Sequence, residues 1–181
     1  MNKIITLFSF LLVIISCKSP EARKPVSVKT GTFMDASIVR NKELHEKQKH
    51  LFENYMNEHP KEEYIASANG FWYTYNSEKS LDTITANFGD IVNFNFDIKN
   101  VNGDLVYSED ELKTRNYTMD QEKIFSGLRE GLKLMKKGET VTFLFPSQKA
   151  FGYYGDNKKI GTNVPIICKV TINSITKKDS N

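Results

Sequence analysis

The residue types that usually carry acid–base, metal or nucleophilic chemistry are scattered along this chain of 181 residues. Lone carboxylates such as Asp97 and Glu130 have no paired partner in the sequence. The three histidines share no helical face at their spacings of five and nine: His45, His50 and His59. The patterns of a nucleophile elbow, a zinc-protease helix, a C-x-x-C pair and a phosphate-binding loop do not occur. The sequence therefore disfavours a hydrolase and predicts neither a metal site nor a cofactor.

Charge and cysteine content narrow the class of protein further. The formal net charge of +3 is small, and charges of both signs are mixed along the chain rather than clustered. This pattern is typical of a solvated surface and predicts no nucleic-acid partner. The two cysteines, Cys17 and Cys168, exclude a fold held by several disulfides, so stability has to come from a hydrophobic core.

Alternation of apolar and polar residues predicts the strands that would position any site. Residues 91–98 alternate strictly, and residues 164–172 are apolar at every even position, which turns Cys168 inward. Asn102-Gly103 predicts a hairpin between two such strands. These strands favour an antiparallel sheet with one buried face.

Two stretches follow a helical period instead. Residues 35–59 carry a narrow apolar stripe and end at Pro60, so this helix packs on something by one edge. Residues 126–137 are predicted to form a short amphipathic helix with Gly138 as its C-cap. The strands and the short helix laid across them predict an α+β architecture.

The most specific pattern lies between residues 123 and 172. Residues 124–131 read IFSGLREG, residues 150–152 read AFG, and residues 164–165 read VP at the start of the last predicted strand. In this order and register they resemble the C-terminal half of FKBP-type peptidyl-prolyl cis-trans isomerases. The resemblance covers about residues 89–175. It implies an FKBP-like antiparallel β-sheet wrapped around a short α-helix, here preceded by an N-terminal helix.

The resemblance implies isomerisation of X–Pro bonds, which needs none of the missing acid, base or metal patterns. Partial double-bond character gives the peptide C–N bond a rotation barrier of about 18–20 kcal/mol. A pocket that binds the twisted bond better than the planar one gains about tenfold in rate for each ~1.4 kcal/mol of preference. Aromatic walls, a floor for the proline ring and one or two donors for carbonyl groups are sufficient.

Carried over position by position, the resemblance assigns nine site residues. Those expected to act on the bond are Phe96, Tyr107, Phe125, Leu128 and Phe151. The backbone N–H of Phe125 is expected to donate to a substrate carbonyl. Those expected to line the substrate pocket are Val106, Ile124, Ile160 and Cys168.

Four of these positions depart from the family pattern. Leu128 stands where the family has a tryptophan floor, and Phe151 stands where it has a tyrosine. Tyr107 replaces an aspartate, and Cys168 replaces an aromatic wall. Weak catalysis is therefore expected. The alternatives are a non-catalytic module that holds a proline-containing segment and a structural lipoprotein that uses the fold as a scaffold.

The first residues predict export and a lipid anchor. A short basic start is followed by an apolar run at residues 4–15, and residues 14–17 read IISC, which resembles a bacterial lipobox. The run is shorter than the roughly 20 apolar residues that a membrane span needs. Cleavage would leave Cys17 as the acylated first residue, and several acyl chains anchor a protein stably. The alternative is an ordinary signal peptide with a chance cysteine.

The predicted organisation follows from these segments. It consists of a lipoprotein leader at residues 1–16, a lipid-anchored flexible tether at 17–34, a helical segment at 35–68 and the isomerase domain at 69–178. Lys18, rather than an aspartate, follows the predicted lipidated cysteine, which favours the outer membrane and a periplasm-facing domain.

Over its whole length the chain also resembles the FKBP-type lipoproteins associated with gliding motility in the Bacteroidota. The shared features are the short leader, the SIVRNK segment at residues 37–42 and the GFWY strand start at residues 70–73. This resemblance implies proline-containing clients in the periplasm, including components of the gliding machinery. Helices that precede the isomerase domain dimerise in some bacterial relatives, so a homodimer and packing of the helix on its own domain both stay open.

Overall fold

The computed structural model describes residues 30–78 and 80–178, with side chains from residue 34 onward. The chain divides into two units, Met1–Ile38 and Val39–Asn181. Of the first unit, only the start of a helix at residues 30–38 is described. The predicted leader, Cys17 and most of the predicted tether lie outside the described residues.

The described residues form three α-helices, eight strands and one 3₁₀ turn. In chain order these are α1 (Thr30–Glu58), β1 (Ile65–Ala66), β2 (Trp72–Tyr75), β3 (Ile91–Phe96), β4 (Ile98–Lys99), β5 (Leu105–Tyr107), α2 (Glu109–Leu112), β6 (Arg115–Thr118), α3 (Ser126–Leu134), β7 (Thr140–Phe145), the 3₁₀ turn (Ser147–Lys149) and β8 (Ile166–Thr176). None of the described helices combines the length and apolarity needed to cross a membrane.

The strands form one antiparallel sheet in the order β1-β2-β7-β8-β3-β6, and β4 pairs with both β5 and β8. The long strand β8 is central because β7, β3 and β4 all pair with it. The predicted α+β fold, an antiparallel sheet with a short helix and a preceding N-terminal helix, is confirmed.

Helix α3 lies close against β7 because two of its residues have no side chain. A Cβ on Gly127 would come within 2.6 Å of the Phe145 ring, and one on Gly131 within 2.9 Å of the Phe143 ring. With these glycines in place, the apolar face of the helix is fully buried against the sheet, Leu128 included. This packing puts the start of α3 beside the end of β7.

The predicted strand alternation is confirmed on the face that α3 covers. The even-numbered apolar residues of β3, β4 and β8 are buried there: Val92, Phe94, Phe96, Ile98, Ile166, Cys168, Val170 and Ile172. The Asn102-Gly103 turn connects β4 to β5, with Lys99 paired to Leu105 and Gly103 at φ +87°. A positive φ is the reason that a glycine suits this turn.

The opposite face of the sheet is also covered, which alternation did not predict. Leu144 and Ile167 are buried there together with Phe52 of α1. The helix that precedes the sheet therefore packs on its own domain. Burial on both faces explains why residues 143–145 of β7 and 166–168 of β8 are continuous apolar runs.

The predicted C-cap of the short helix is wrong. Helix α3 ends at Leu134, and Met135 already has the extended conformation, with φ −95° and ψ 155°. Met135 is fully buried, so the chain leaves the helix early to place this side chain in the core. Gly138 lies beyond the helix, where its N–H donates to the carbonyl of Ile172 at 2.8 Å.

Candidate functional site

A cavity of about 300 Å³ opens where the start of α3 meets the ends of β3 and β5 and the loop after the 3₁₀ turn. Its lining is mostly apolar and aromatic, with several charged side chains. The lining residues are Phe96, Ile98, Tyr107, Leu112, Arg115, Lys123, Ile124, Phe125, Phe151, Asp156 and Lys158.

Aromatic rings from two different elements form one wall of this cavity. Phe125 precedes α3 as its N-cap residue, and Phe151 follows the 3₁₀ turn. Their ring centroids lie 5.0 Å apart. Phe125 also meets the ring of Phe145 edge to face at 5.6 Å. Such tilted ring pairs are the arrangements that aromatic side chains prefer, so this wall is held in place by packing.

One backbone donor beside the cavity is unused by the chain. Within residues 30–78 and 80–178, the N–H of Phe125 has no hydrogen-bond acceptor, although Phe125 lines the cavity. Buried or half-buried N–H groups are nearly always paired, so an unpaired one beside a cavity is suited to a ligand carbonyl. The family resemblance implies this role for the same atom.

A carboxylate that the sequence reading missed lies in the cavity. Asp156 accepts a hydrogen bond from the Tyr107 hydroxyl through Oδ2. Its Oδ1 accepts from the N–H groups of Lys158 at 2.9 Å and Ile160 at 2.8 Å. Burial by itself raises the pKa of Asp156, but these donors outweigh it and hold the pKa below its ordinary value. Asp156 is therefore an ionised carboxylate at neutral pH.

Tyr107 is held in place from two sides. Donation to Asp156, together with burial, raises the pKa of its hydroxyl, which stays protonated. The Nζ of Lys159 lies 4.6 Å from the centroid of the Tyr107 ring, donates to the carbonyl of Val106 at 3.1 Å and pairs with Glu111 at 2.7 Å. The loop after the 3₁₀ turn is thus tied to β5 and α2 across the cavity.

Helix α1 contributes a buried polar contact to the same loop. The Gln48 side chain is 3 % exposed, and its Nε2 donates to Oγ of Ser147 at 2.8 Å and to the carbonyl of Asn163 at 3.0 Å. Its Oε1 accepts from the N–H of Ser147 at 2.9 Å. Asn163 in turn donates to the carbonyl of Gly152 at 2.9 Å. Gln48 therefore joins the two ends of the segment that contains Phe151.

Five of the nine predicted site residues line the cavity together: Phe96, Tyr107, Ile124, Phe125 and Phe151. Their convergence from separate elements is what the resemblance implied.

The other four predicted residues do not line the cavity. Leu128 and Cys168 are fully buried and Ile160 is nearly so, and all three belong to the hydrophobic core. Val106 is half-buried and offers its carbonyl to Lys159. Burial also raises the pKa of the Cys168 thiol well above its usual range, so this residue is a neutral core side chain.

The charged lining residues were missed because nothing in their local sequence marks them. Asp156 had one usable signal, since it follows Gly155 in a Gly-Asp-Asn turn sequence. Gly155 has φ +66°, and a Cβ there would lie 2.2 Å from the carbonyl oxygen of Ile160, so only glycine fits. The tight turn directs the Asp156 carboxylate onto the N–H groups that follow it.

A second hollow, of about 480 Å³, lies beside β1 and β2. It is lined by Lys61, Glu62, Glu63, Ile65, Thr74, Tyr75 and Asn76, and none of the predicted site residues is among them. No group of three or more His, Cys, Asp or Glu side chains in the described part of the chain is arranged to hold a metal ion.

Comparison with known proteins agrees with this geometry. The family model described as FKBP-type peptidyl-prolyl cis-trans isomerase matches residues 82–173, more than half of the chain. The chain belongs to this family. The matched segment contains all of the cavity-lining residues. Membership in this family supports peptidyl-prolyl isomerase activity in general.

The structural comparison is consistent with the family. A crystal structure of a peptidyl-prolyl cis-trans isomerase from Pseudomonas syringae pv. tomato str. DC3000 superposes with a TM-score of 0.61. The match covers 75% of this chain and 96% of that chain at 14% sequence identity, which supports a shared fold. No curated protein matches the chain in sequence.

Proposed function

We propose that this protein is a folding factor of the cell envelope that isomerises X–Pro bonds in exported proteins. The observation that carries the proposal is the apolar cavity at the start of α3, where the Phe125–Phe151 wall stands beside the unpaired N–H of Phe125. An X–Pro segment fits this site because its proline ring is apolar and its carbonyl groups can accept a hydrogen bond from the Phe125 N–H.

The cavity residues supply the elements that the reaction needs. The rings of Phe96, Phe125 and Phe151 surround the pyrrolidine ring and keep water from the amide, which disfavours the polar planar form relative to the twisted one. The N–H of Phe125 holds a substrate carbonyl while the bond rotates. No proton is transferred and no bond is broken, so no residue has to act as an acid or a base.

We propose the cellular setting that the sequence predicts, which is the cell envelope. The leader and Cys17 would place the protein on the outer membrane with its domain in the periplasm, where it would act on proline-containing clients. The proposed clients include parts of the gliding machinery, in line with the resemblance of the leader and of two short segments to gliding-associated lipoproteins. Uncatalysed X–Pro isomerisation takes tens of seconds or longer, which is slow enough to limit folding after export.

A refolding assay tests the activity. The chain from Lys18 to Asn181 is added to a reporter protein whose refolding is limited by an X–Pro bond. We expect acceleration at micromolar protein, and a loss of about tenfold or more in Phe151→Ala because one aromatic wall is removed. Phe88→Ala, which removes an exposed ring outside the cavity, is the matched control and should keep its rate. A reporter that refolds at its uncatalysed rate would refute the enzyme.

A non-catalytic binding module is the second candidate, and one observation favours it. Leu128, at the family's tryptophan position, is fully buried and absent from the cavity lining, so this position contributes no aromatic ring to the cavity. A labelled proline peptide that binds to the protein without any acceleration of the reporter would support this alternative.

A further inference from the structure

Three basic side chains line the apolar cavity and come from three separate segments. Arg115 begins β6, Lys123 precedes α3, and Lys158 lies in the loop after the 3₁₀ turn. All three residues are exposed to solvent. Their common feature is that each borders the same opening, so their positive charges act on the same ligand.

These three cations lack the partners that neighbouring basic residues have. Among the described side chains, none of Arg115, Lys123 and Lys158 has an ion pair within 4.0 Å. By contrast, Lys159 pairs with Glu111 at 2.7 Å and Lys133 pairs with Asp120 at 3.1 Å. The three cations at the cavity therefore have no close ion pair among the described side chains, whereas Lys159 and Lys133 do.

The acidic groups close to the cavity offset only part of this positive charge. Asp156, the one carboxylate among the lining residues, accepts from the Tyr107 hydroxyl and from the backbone N–H groups of Lys158 and Ile160, and from no basic side chain. Glu122 lies close enough to Arg115 for the arginine to help lower its pKa, but its larger interactions are hydrogen bonds with Thr118. The ionised Asp156 offsets one of the three positive charges, and Glu122 interacts mainly with Thr118, so the opening keeps a net positive charge.

We propose that the cavity selects X–Pro segments that carry acidic side chains next to the proline, an inference that rests on the proposed isomerase function. The proline ring enters the apolar interior, and the neighbouring side chains then lie over the rim. A Glu or Asp there meets Arg115, Lys123 or Lys158, whereas a Lys or Arg is repelled. Exposed ion pairs are individually weak and screened by salt, so the preference is moderate and depends on ionic strength.

Three peptides that differ only in the residue before proline (Glu, Gln or Lys) test the preference with the full chain in nonionic detergent. We expect kcat/KM to fall in the order Glu, Gln, Lys, with about fivefold between the first and the last and most of the change in KM. At about 1 M NaCl, where the Debye length is about 3 Å, the three values should converge.

Variants assign the effect to the rim. The triple variant Arg115→Gln, Lys123→Gln and Lys158→Gln should bring the Glu-to-Lys ratio close to one. The matched control removes three exposed lysines outside the cavity lining, Lys47→Gln, Lys137→Gln and Lys169→Gln, and should keep the ratio. The control separates a local effect from a change in net charge, which is the same in both.

The outcomes separate this proposal from the proposed function. Equal kcat/KM values for the three peptides would overturn the substrate preference and leave the isomerase standing. Absence of acceleration for every peptide would overturn the isomerase. Fluorescence anisotropy of the labelled peptides then tests whether the cavity still prefers acidic segments in binding. Tighter binding of the Glu peptide that the triple variant abolishes supports recognition of acidic segments, whereas equal binding or none overturns it.

Discussion

The contact between Tyr107 and Asp156 joins two residues 49 positions apart in the chain. The Asp156 carboxylate also accepts hydrogen bonds from two backbone N–H groups of its own turn. Its negative charge is therefore stabilised by protein donors. In the family pattern an aspartate stands at the position of Tyr107. Here the carboxylate reaches the cavity from a different loop, and the tyrosine at the family's aspartate position donates to it.

The titration of Asp156 makes a testable contribution to stability. Its pKa is lowered in the folded state, so its contribution is complete above the ordinary value of 3.8 and is lost as the pH falls through the lower folded pKa. Asp156→Asn should therefore unfold more readily at pH 7 and lose less stability on acidification. Denaturant unfolding at several pH values measures both effects.

The same substitution has a signature at high pH. Because Asp156 is the largest cause of the raised pKa of Tyr107, that pKa should fall toward 10.0 in the variant, as followed by tyrosinate absorbance. Asp110→Asn, at an exposed carboxyl outside the cavity lining, is the control. An unchanged Tyr107 titration would contradict the geometry.

Helix α1 contacts both the sheet and the cavity loop, although its narrow apolar stripe predicts only one packing edge. Phe52 covers the outer face of the sheet, while Gln48, one turn earlier, makes three hydrogen bonds to the segment around Phe151. The helix therefore stabilises the loop that forms one wall of the cavity as well as the sheet beneath it.

Gln48→Met tests this role of the helix, because methionine keeps the length of the side chain but makes none of the hydrogen bonds. The N–H and hydroxyl of Ser147 would be left buried without these partners, which costs about 1–3 kcal/mol of unfolding free energy. We also expect faster amide exchange at Ser147 and Asn163. Lys47→Met, at an exposed neighbouring position, should change neither quantity. Normal exchange rates in Gln48→Met would show that the helix does not hold the loop.

For the molecule as a whole, the proposed function requires attachment to a membrane as well as a cavity. Attachment is predicted to depend on one residue, Cys17, ahead of the described residues.

Cys17→Ser is expected to block processing of the leader or to release the protein from the membrane fraction, because serine cannot take the thioether-linked lipid. Fractionation of cells with immunoblotting measures this. Cys168→Ala changes the other cysteine, which is buried in the core, and should leave the protein with the membranes. Membrane association that survives Cys17→Ser would exclude the lipid anchor.

Many features of this fold follow from residues that are close together in the chain, and the sequence therefore predicted them. The alternation of residues 91–98 determines which side chains of β3 and β4 point into the core. The Asn102-Gly103 pair favours a tight turn between β4 and β5 through its own backbone preference. The family resemblance likewise named five cavity residues, of which Ile124 and Phe125 lie directly before α3 and the other three come from separate segments.

What the tertiary structure alone decided is which distant segments meet. Burial of Leu144 and Ile167 depends on α1 packing on the outer face of the sheet, and the end of α3 depends on where the core accommodates Met135. In the cavity, the Asp156 carboxylate and the three unpaired cations come together only when separate loops close over the sheet. A local sequence pattern relates only residues that are close together in the chain. The charge of this cavity depends on residues from segments that are far apart in the sequence, so no local pattern predicts it.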